Sequence, residues 1–187
     1  MSAGEGLFEK ILRAAALFES HGIPFALGGA FAYSYCGVPR QTTDIDFNVF
    51  VPDDRGEGVV ELLGTIGARP LGPDWRTEVA KQGQVRLAWG GTFLDLFFAY
   101  HDFHDECRER ARLVPFADRL MPVLSCEDLA VFKVLFDRPR DWVDIENMVR
   151  VQAGRFDAAL VRKWITFFLG GDDARVARFD GIVAAAR

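Results

Sequence analysis

Two carboxylates lie inside a stretch of the sequence that otherwise has the pattern of a buried β-strand. Asp44 and Asp46 occur in RQTTDIDFNVF, residues 40–50, where the alternate residues from Ile45 onwards are apolar. Because alternate residues of a strand share one face, both carboxylates and Asn48 would point to the same side. Like charges placed in this way repel, and a bound divalent cation removes the repulsion. Such a density of oxygen ligands favours Mg²⁺ or Mn²⁺.

A third carboxylate, Asp95, interrupts a second apolar stretch, FLDLFFAY. Residues 85–89 and 92–99 have strand patterns, and only Gly90-Gly91 separates them, which predicts a hairpin with a two-residue turn. That register places Arg86 opposite Asp95, either as a counter-ion or as a phosphate ligand. The alternative, that the carboxylates lie on solvated faces of edge strands, explains one such strand more easily than two.

A glycine pair could supply a binding site for phosphate. Gly28-Gly29 follows the apolar segment 23–27 and precedes the pattern of a helix over 30–36. A turn of this kind lets the backbone approach a phosphate and presents amides at a helix N-terminus, where the dipole favours anions. The alternative is a tight turn without a ligand.

Two cationic residues also stand out. Lys133 is one of only four lysines and falls in the apolar helical pattern LAVFKVLF. A charge in such a pattern needs a partner, unless the side chain snorkels to solvent. Arg40, shortly before Asp44, could contact phosphate or pair with an aspartate.

The elements that must position these residues alternate between helix and strand. Helices are predicted over 7–18, 30–36 and 58–66, and strands over 23–27, 44–51 and in the hairpin. Beyond Phe103 the pattern is helical, with segments at 129–136, 141–151, 156–169 and 172–186. We therefore expect an α+β fold: a mixed β-sheet with flanking helices over residues 1–120, followed by a C-terminal helical part over 121–187.

Composition and charge narrow the classes of protein that fit. The chain has 187 residues, 50% of them hydrophobic, which suits a compact globular protein. Its formal net charge of −5 argues against a generic nucleic-acid coat protein. The charge is still compatible with a local basic patch built from arginines. No apolar run approaches the roughly 18 residues of a membrane span, and the N-terminus lacks the apolar segment of a signal peptide.

The cysteines, histidines and tryptophans give weaker signals. Cys36, Cys107 and Cys126 are odd in number and far apart, so we expect neither a disulfide framework nor a zinc knuckle, and a reducing cytoplasm fits best. The segment YHDFHDEC has the composition of a metal site, but we interpret it as a solvated loop after a strand. The tryptophans are expected to pack in the core or at a junction rather than to stack on bases; they are Trp75, Trp89, Trp142 and Trp164.

The ordered set of motifs resembles the DNA polymerase beta-type nucleotidyltransferase superfamily. ALGGAFAYSY, then RQTTDIDFNVFV, then FLDLFF are similar to its glycine turn opening a helix, its DxD strand and its third aspartate, over roughly residues 23–99. LSCEDLAVFKVLFDRPRDWVDIENMV is similar to the C-terminal Lys-Arg-Asp segment of minimal nucleotidyltransferases, including toxins of abortive-infection toxin–antitoxin systems. One departure is Gly29-Ala30, where many relatives have Gly-Ser, so a hydroxyl contact to phosphate is missing.

The resemblance implies transfer of a nucleoside monophosphate from an NTP to an acceptor hydroxyl, with release of pyrophosphate and with two Mg²⁺ (or Mn²⁺) ions. Asp44 and Asp46 would hold both metals, and Asp95 would complete the shell of the catalytic metal and act as the base. The nucleotide-binding residues implied are Gly28, Gly29, Arg40, Lys133 and Asp141, with Arg138 and Arg140 near Asp141 at the helix junction.

The resemblance leaves the acceptor open. A toxin-like branch would modify tRNA or protein and could have a cognate antitoxin, whereas an antibiotic nucleotidyltransferase would modify a small hydroxylated molecule such as an aminoglycoside or a lincosamide. The helical C-terminal half favours the toxin-like branch, but the sequence has no strongly basic tract for tRNA. A catalytically silent nucleotide- or partner-binding module is a further hypothesis, and the three aspartates count against it.

Overall fold

The structure is a computed structural model that describes residues 5–186. Its helices are α1 (Leu7–Ser20), α2 (Gly29–Cys36), α3 (Gly56–Gly64), α4 (Trp75–Gln82), α5 (Asp102–Arg110), α6 (Cys126–Phe136), α7 (Pro139–Val151), α8 (Ala158–Leu169) and α9 (Ala174–Ala185). Its strands are β1 (Phe25–Leu27), β2 (Asp44–Pro52), β3 (Arg69–Pro70), β4 (Gln84–Trp89), β5 (Thr92–Ala99), β6 (Arg112–Phe116) and β7 (Arg119–Val123).

The strands of the described residues form one seven-stranded sheet in the order β3-β4-β5-β2-β1-β7-β6. β2 pairs in parallel with β5 and antiparallel with β1, so the sheet is mixed. The α+β prediction is confirmed. The carboxylate-bearing strand β2 lies near the centre of this sheet, with neighbours on both sides, and the solvated-edge alternative is therefore wrong for it.

The apolar face of β2 points towards α1. Phe18 of α1 packs against Phe25 of β1 and Phe47 of β2, with ring centroids 5.3–5.5 Å apart. Because successive side chains alternate along a strand, the carboxylates of β2 lie on the opposite face of the sheet. The tryptophans are buried, which confirms that they pack in the interior; they are Trp75, Trp89, Trp142 and Trp164.

The β4–β5 hairpin has the predicted register, with Arg86 opposite Asp95 and Trp89 opposite Thr92. The two glycines of its turn, residues 90 and 91, have φ angles of 52° and 78°, as a type I′ turn requires. The period-2 pattern and the Gly-Gly pair were sufficient to place the third carboxylate.

A buried lysine holds the turn of this hairpin. Lys10 of α1 is only 3% exposed, and its Nζ donates hydrogen bonds to the carbonyl oxygens of Trp89 and Gly90 and to the hydroxyl of Thr92, at 2.6–2.8 Å. These acceptors replace the water that a buried ammonium loses. α1 thereby fixes the position of the strand that carries Asp95.

The region after Phe103 contains a hairpin where the sequence pattern predicts helix. β6 and β7 pair antiparallel, and β7 joins β1 in parallel. The turn has Ala117 at a φ of 52°, which no glycine or asparagine signals in the sequence, and Pro115 and Pro122 weaken the strand pattern. The helical prediction is therefore wrong for residues 112–123.

The histidine-rich segment is the start of a helix rather than a loop, so that interpretation is also wrong. His101 is the N-cap of α5, and its Nδ1 accepts a hydrogen bond from the backbone N–H of Phe103 at 3.2 Å. His104 is buried, and burial lowers its pKa. This segment is therefore explained by helix capping and packing.

A disulfide links Cys36 at the end of α2 to Cys126 at the start of α6, with Cα atoms 5.4 Å apart. The prediction of no disulfide is wrong, because packing of α2 against α6 brings together two residues that are 90 positions apart. Cys107 is free and buried. The expected absence of a disulfide framework therefore no longer supports a reducing cytoplasm, and the cytoplasmic location stays a prediction.

α6–α9 follow the last strand, but they also contact the preceding part of the chain. Gln152, just after α7, donates a hydrogen bond to the carbonyl oxygen of Cys36 at 3.0 Å. The division near residue 120 stays a prediction. Over residues 5–186, no helix has both the length and the apolar character needed to cross a membrane.

Candidate active site

Three carboxylates lie on one face of two neighbouring strands. Asp44 and Asp46 project from the same face of β2, and Asp46 is the register partner of Asp95 on β5. The usual strand spacing of about 4.8 Å brings these side chains next to one another. The alternation and the hairpin in the sequence predict this arrangement.

An arginine occupies the space beside these carboxylates. Arg86 of β4 donates from Nε and Nη2 to both oxygens of Asp95, at 2.7 and 2.6 Å, and Nη2 lies 3.7 Å from Asp44. In this conformation, no three acidic, histidine or cysteine side chains among residues 5–186 are grouped as a ready-made metal cluster. Arg86 is the internal counter-ion of the carboxylates, and a metal ion at Asp95 would take its place.

The carboxyl group of Asp46 has a clearly raised pKa. Burial, followed by the charges of Asp95 and Asp44, raises the pKa of Asp46 from 3.8 to about 6, although Arg138 and Lys133 act in the opposite direction. Asp46 is therefore costly to ionise, mainly because it is buried and further because two other carboxylates lie beside it. A hard divalent cation fits this set of carboxylate oxygens.

The glycine turn is shaped by its contact with β2. Gly29 has a φ of 49°, and a Cβ at that position would lie 1.8 Å from Oδ2 of Asp46. A Cβ on Gly28 would lie 2.6 Å from the amide nitrogen of Asn48. Position 29 therefore needs glycine, whereas a side chain at position 28 would have to displace the amide group of Asn48. The unliganded-turn alternative does not by itself explain why the turn lies so close to Asp46.

The amides of this turn are not all available to a ligand. The N–H of Gly28 donates to the carbonyl oxygen of Asp46 at 2.9 Å, so the expectation that Gly28 presents an amide to phosphate is wrong for this conformation. The first turn of α2 leaves the N–H groups of Gly29, Ala30 and Phe31 outside the helical hydrogen-bond ladder. These three groups therefore lie at the helix end where the dipole favours an anion.

Across the cleft, buried aspartates hold three cationic side chains. Lys133 is 3% exposed, and its Nζ lies 2.6 Å from Asp144 and 3.2 Å from Asp141. Asp144 also pairs with Arg40 at 3.3 Å, and Asp141 pairs with Arg138 at 2.6 Å. The snorkelling alternative for Lys133 is therefore wrong. Arg40 pairs with an aspartate, as one of its two alternatives states.

The side chain of Tyr33 in α2 packs next to two of these cations, Lys133 and Arg40. Its ring centroid lies 5.4 Å from Nζ of Lys133 and 5.7 Å from Cζ of Arg40, within the range of cation–π attraction. The Nε of Arg40 is buried and has no hydrogen-bond partner among the described residues. An anion in the cleft could satisfy this group with a small movement of the guanidinium.

The carboxylates and the cations face one another across a cleft of about 520 Å³. Six of the predicted site residues line it: Gly29, Arg40, Asp44, Asp46, Asp95 and Lys133. Gly28 and Asp141 stand behind this surface, where they support Asp46 and the cations. The predicted set omits Asp144 and names Arg138 only as a neighbour of Asp141. Both residues lie three positions from Asp141 in RPRDWVD, a spacing that places residues on one side of a helix.

Solved structures share this fold. A crystal structure of ANT(2″)-Ia in complex with adenylyl-2″-tobramycin matches with a TM-score of 0.58 and 18% identity, over 96% of this chain and 96% of that chain. The lincosamide antibiotic adenylyltransferase LnuA, lincomycin-bound, matches with a TM-score of 0.53 and 17% identity, over 75% of this chain and 94% of that chain. At these identities the similarity establishes the fold.

No curated protein matches the chain significantly. The family model described as "Nucleotidyl transferase AbiEii toxin, Type IV TA system" matches residues 10–174. That span includes the glycine turn, the three carboxylates and the cationic group. The chain therefore belongs to the AbiEii family of nucleotidyltransferase toxins from type IV toxin–antitoxin systems, within the polymerase beta-type fold that its motifs resemble.

Proposed function

We propose that this protein uses divalent metal ions to transfer a nucleoside monophosphate from an NTP to an acceptor hydroxyl, with release of pyrophosphate. One observation carries the proposal: Asp46 and Asp95 are register partners on parallel strands, with Asp44 on the same face and Gly29 pressed against Asp46. Three carboxylates so close together are costly in a module that only binds a partner, which argues against the catalytically silent alternative.

Asp44 and Asp46 would hold Mg²⁺ or Mn²⁺, and Asp95 would complete the set of ligands once Arg86 moves aside. When bound, such ions neutralise charge on the triphosphate and lower the pKa of the attacking hydroxyl. The raised pKa of Asp46, caused mainly by burial and then by the charges of Asp95 and Asp44, supports this assignment. Arg86, which now pairs with Asp95, would have to give up this contact for Asp95 to bind a metal ion.

The triphosphate would lie between the start of α2 and the cationic group. The N–H groups of Gly29 and Ala30 would donate to its oxygens, and Lys133, Arg40 and Arg138 would supply positive charge. Asp141 and Asp144 would act as positioning residues, because each pairs with two of these cations. The hydroxyl that Gly29-Ala30 lacks relative to Gly-Ser would be replaced by these contacts.

Asp95 would be the base that receives the proton of the acceptor hydroxyl. It lies across Asp46 from the glycine turn, because β5 is on the other side of β2 from β1. Attack from that side would expel pyrophosphate towards Gly29, where the amides can receive it.

The family favours a toxin-like acceptor, tRNA or protein, with a cognate antitoxin as partner and a cytoplasmic location. A second candidate is a small hydroxylated acceptor. A pocket of about 320 Å³ next to Asp95 favours it, because Glu78, Gln82 and Gln84 offer carboxylate and amide groups that suit hydroxyls and amines. The ligands of the two antibiotic-modifying neighbours belong to this class.

One experiment tests the activity and separates the acceptors. Purified protein is incubated with Mg²⁺, each α-labelled NTP in turn and a cell extract, and the label is followed into RNA, protein and small molecules. We expect transfer that disappears with EDTA and with Asp46→Asn. Label in RNA or protein supports the toxin-like acceptor, label in small molecules supports the second candidate, and no transfer with any NTP contradicts the proposal.

A further inference from the structure

A second pocket opens from the catalytic cleft at the Asp44 end of β2. Its volume is about 580 Å³, and it shares Ala30, Arg40, Thr42, Asp44 and Arg140 with the cleft. The two spaces therefore adjoin each other, and a ligand whose reactive end lies at the carboxylates could extend from the cleft into this pocket.

The wall of this second pocket is aromatic. The ring of Phe8 lies 5.2 Å from that of Phe116 and 5.8 Å from that of Phe31, between centroids. Phe8 and Tyr35 are 58% and 41% exposed. The hydroxyl of Tyr35 donates to the carbonyl oxygen of Pro115 at 2.7 Å, which fixes its ring at the rim. We call this space the aromatic pocket, defined by Phe8, Phe31, Tyr35 and Phe116.

This inference rests on the proposed function. The order of the site residues across the sheet gives the direction in which the nucleoside monophosphate would be transferred. Asp95 lies on β5, Asp46 on β2 and Gly29 at the end of β1, and these strands are neighbours in that order. The attacking hydroxyl, the reacting phosphorus and the leaving pyrophosphate would follow this line, because such displacements are in-line. The nucleoside is attached to the reacting phosphorus and leaves that line to one side, and within the plane of the sheet the two directions open to it run along β2.

In the described part of the chain, the two directions along β2 differ in the room that they offer. Towards Asn48, side chains of α6 including Phe132 and Phe136 leave a cavity of about 30 Å³, too small for a nucleobase. Towards Asp44, the aromatic pocket has about 580 Å³, within the usual range of roughly 300–1,000 Å³ for small-molecule sites. The separate pocket next to Asp95 lies on the side of the acceptor.

We infer that the aromatic pocket binds the nucleoside of the NTP. A planar base can stack on exposed aromatic rings whatever its identity. Ser34 and Gln41, which line the same pocket, offer hydrogen bonds to the ribose and to the base edge. Arg40 and Arg140 stand between the pocket and the cleft, where the nucleoside joins its phosphates.

The test compares two probes that differ in the nucleoside. Calorimetric titrations with Mg²⁺ measure the affinity for a non-hydrolysable α,β-methylene NTP and for inorganic tripolyphosphate. Phe8→Ala is expected to weaken binding of the NTP analogue about tenfold or more and to change tripolyphosphate affinity by less than about twofold. Gln41→Trp, at an exposed lining position, should fill the pocket and give the same selective loss.

Phe167→Ala is the matched control, because Phe167 is 60% exposed on α8 and lies outside the pocket. It should change neither affinity. If both pocket variants bind the NTP analogue as the wild type does, the inference is overturned, including when they raise the KM for the acceptor. An equal loss of both probes also overturns it. A wild-type protein that binds neither probe overturns the proposed function itself, which is a distinguishable result.

Discussion

The guanidinium of Arg86 binds both carboxylate oxygens of Asp95, the residue directly opposite it across the β4–β5 hairpin. The same hydrogen bond is the largest cause that raises the pKa of Arg86. A positive charge thus already lies where the proposed catalytic metal would bind Asp95. Arg86 and the proposed metal would therefore compete for the carboxylate of Asp95.

The first prediction follows from this competition. Arg86→Met should increase the affinity of the nucleotide-free protein for Mn²⁺ by about two- to fivefold, as expected for removal of a partly exposed ion pair of up to about 1 kcal/mol. Electron paramagnetic resonance of free Mn²⁺ measures this. Unchanged Mn²⁺ affinity together with weaker NTP binding would identify Arg86 as a phosphate ligand instead.

The second prediction concerns pH. The folded-state pKa of Asp46, about 6, lies above its unfolded value of 3.8, so the stability linked to its protonation is complete below the lower value and is lost as the pH rises through the higher one. Asp46→Asn should therefore be more stable than the wild type in urea at about pH 8, by at most about 3 kcal/mol, with a smaller difference at about pH 5. An equal difference at both pH values would contradict the burial argument.

The third prediction separates the roles of the carboxylates. Asp44→Asn and Asp46→Asn should lose both metal-dependent NTP binding and turnover. Asp95→Asn should keep much of the NTP affinity while the rate falls by about 10²-fold or more, because a base acts in the transition state. Full activity of Asp95→Asn would show that the base is elsewhere.

The fourth prediction concerns the buried cationic group. Lys133→Ala removes the buried hydrogen bonds of Nζ to Asp141 and Asp144, which keep Arg138 and Arg40 as partners, so it should lower the free energy of unfolding by about 1.5–3 kcal/mol. Lys163→Ala is the matched control, since Lys163 pairs with Glu106 on the surface and should change the free energy of unfolding by less than about 1 kcal/mol. Equal effects of the two substitutions in urea denaturation would mean that the buried hydrogen bonds of Lys133 add no more stability than a surface ion pair.

Local pattern was enough to place the carboxylates. Alternation placed Asp44 and Asp46 on one face, and the Gly-Gly turn set the register that puts Asp95 beside them, because strand period and hairpin geometry depend on adjacent residues. The β6–β7 hairpin could not be predicted in this way, since its turn uses Ala117 in a conformation that its residue type disfavours.

Contacts between distant parts of the chain could not be predicted from the sequence. The partners of Lys133 and the disulfide of Cys36 depend on how α2, α6 and α7 pack together, and residue spacing does not encode that packing. The pairing of Arg40 with Asp144 spans 104 positions. A lone lysine in an apolar helix indicated that a partner exists but could not identify it.

The most direct test of the central claim is to compare NTP labelled at the α-phosphate with NTP labelled at the γ-phosphate, in the presence of Mg²⁺ and the acceptor fraction. The account predicts that the α-label enters the acceptor and that the γ-label is recovered as pyrophosphate, and that neither occurs with Asp46→Asn. Entry of the γ-label into the acceptor, or α-label transfer that survives both EDTA and Asp46→Asn, would contradict metal-dependent nucleotidyl transfer at Asp44, Asp46 and Asp95.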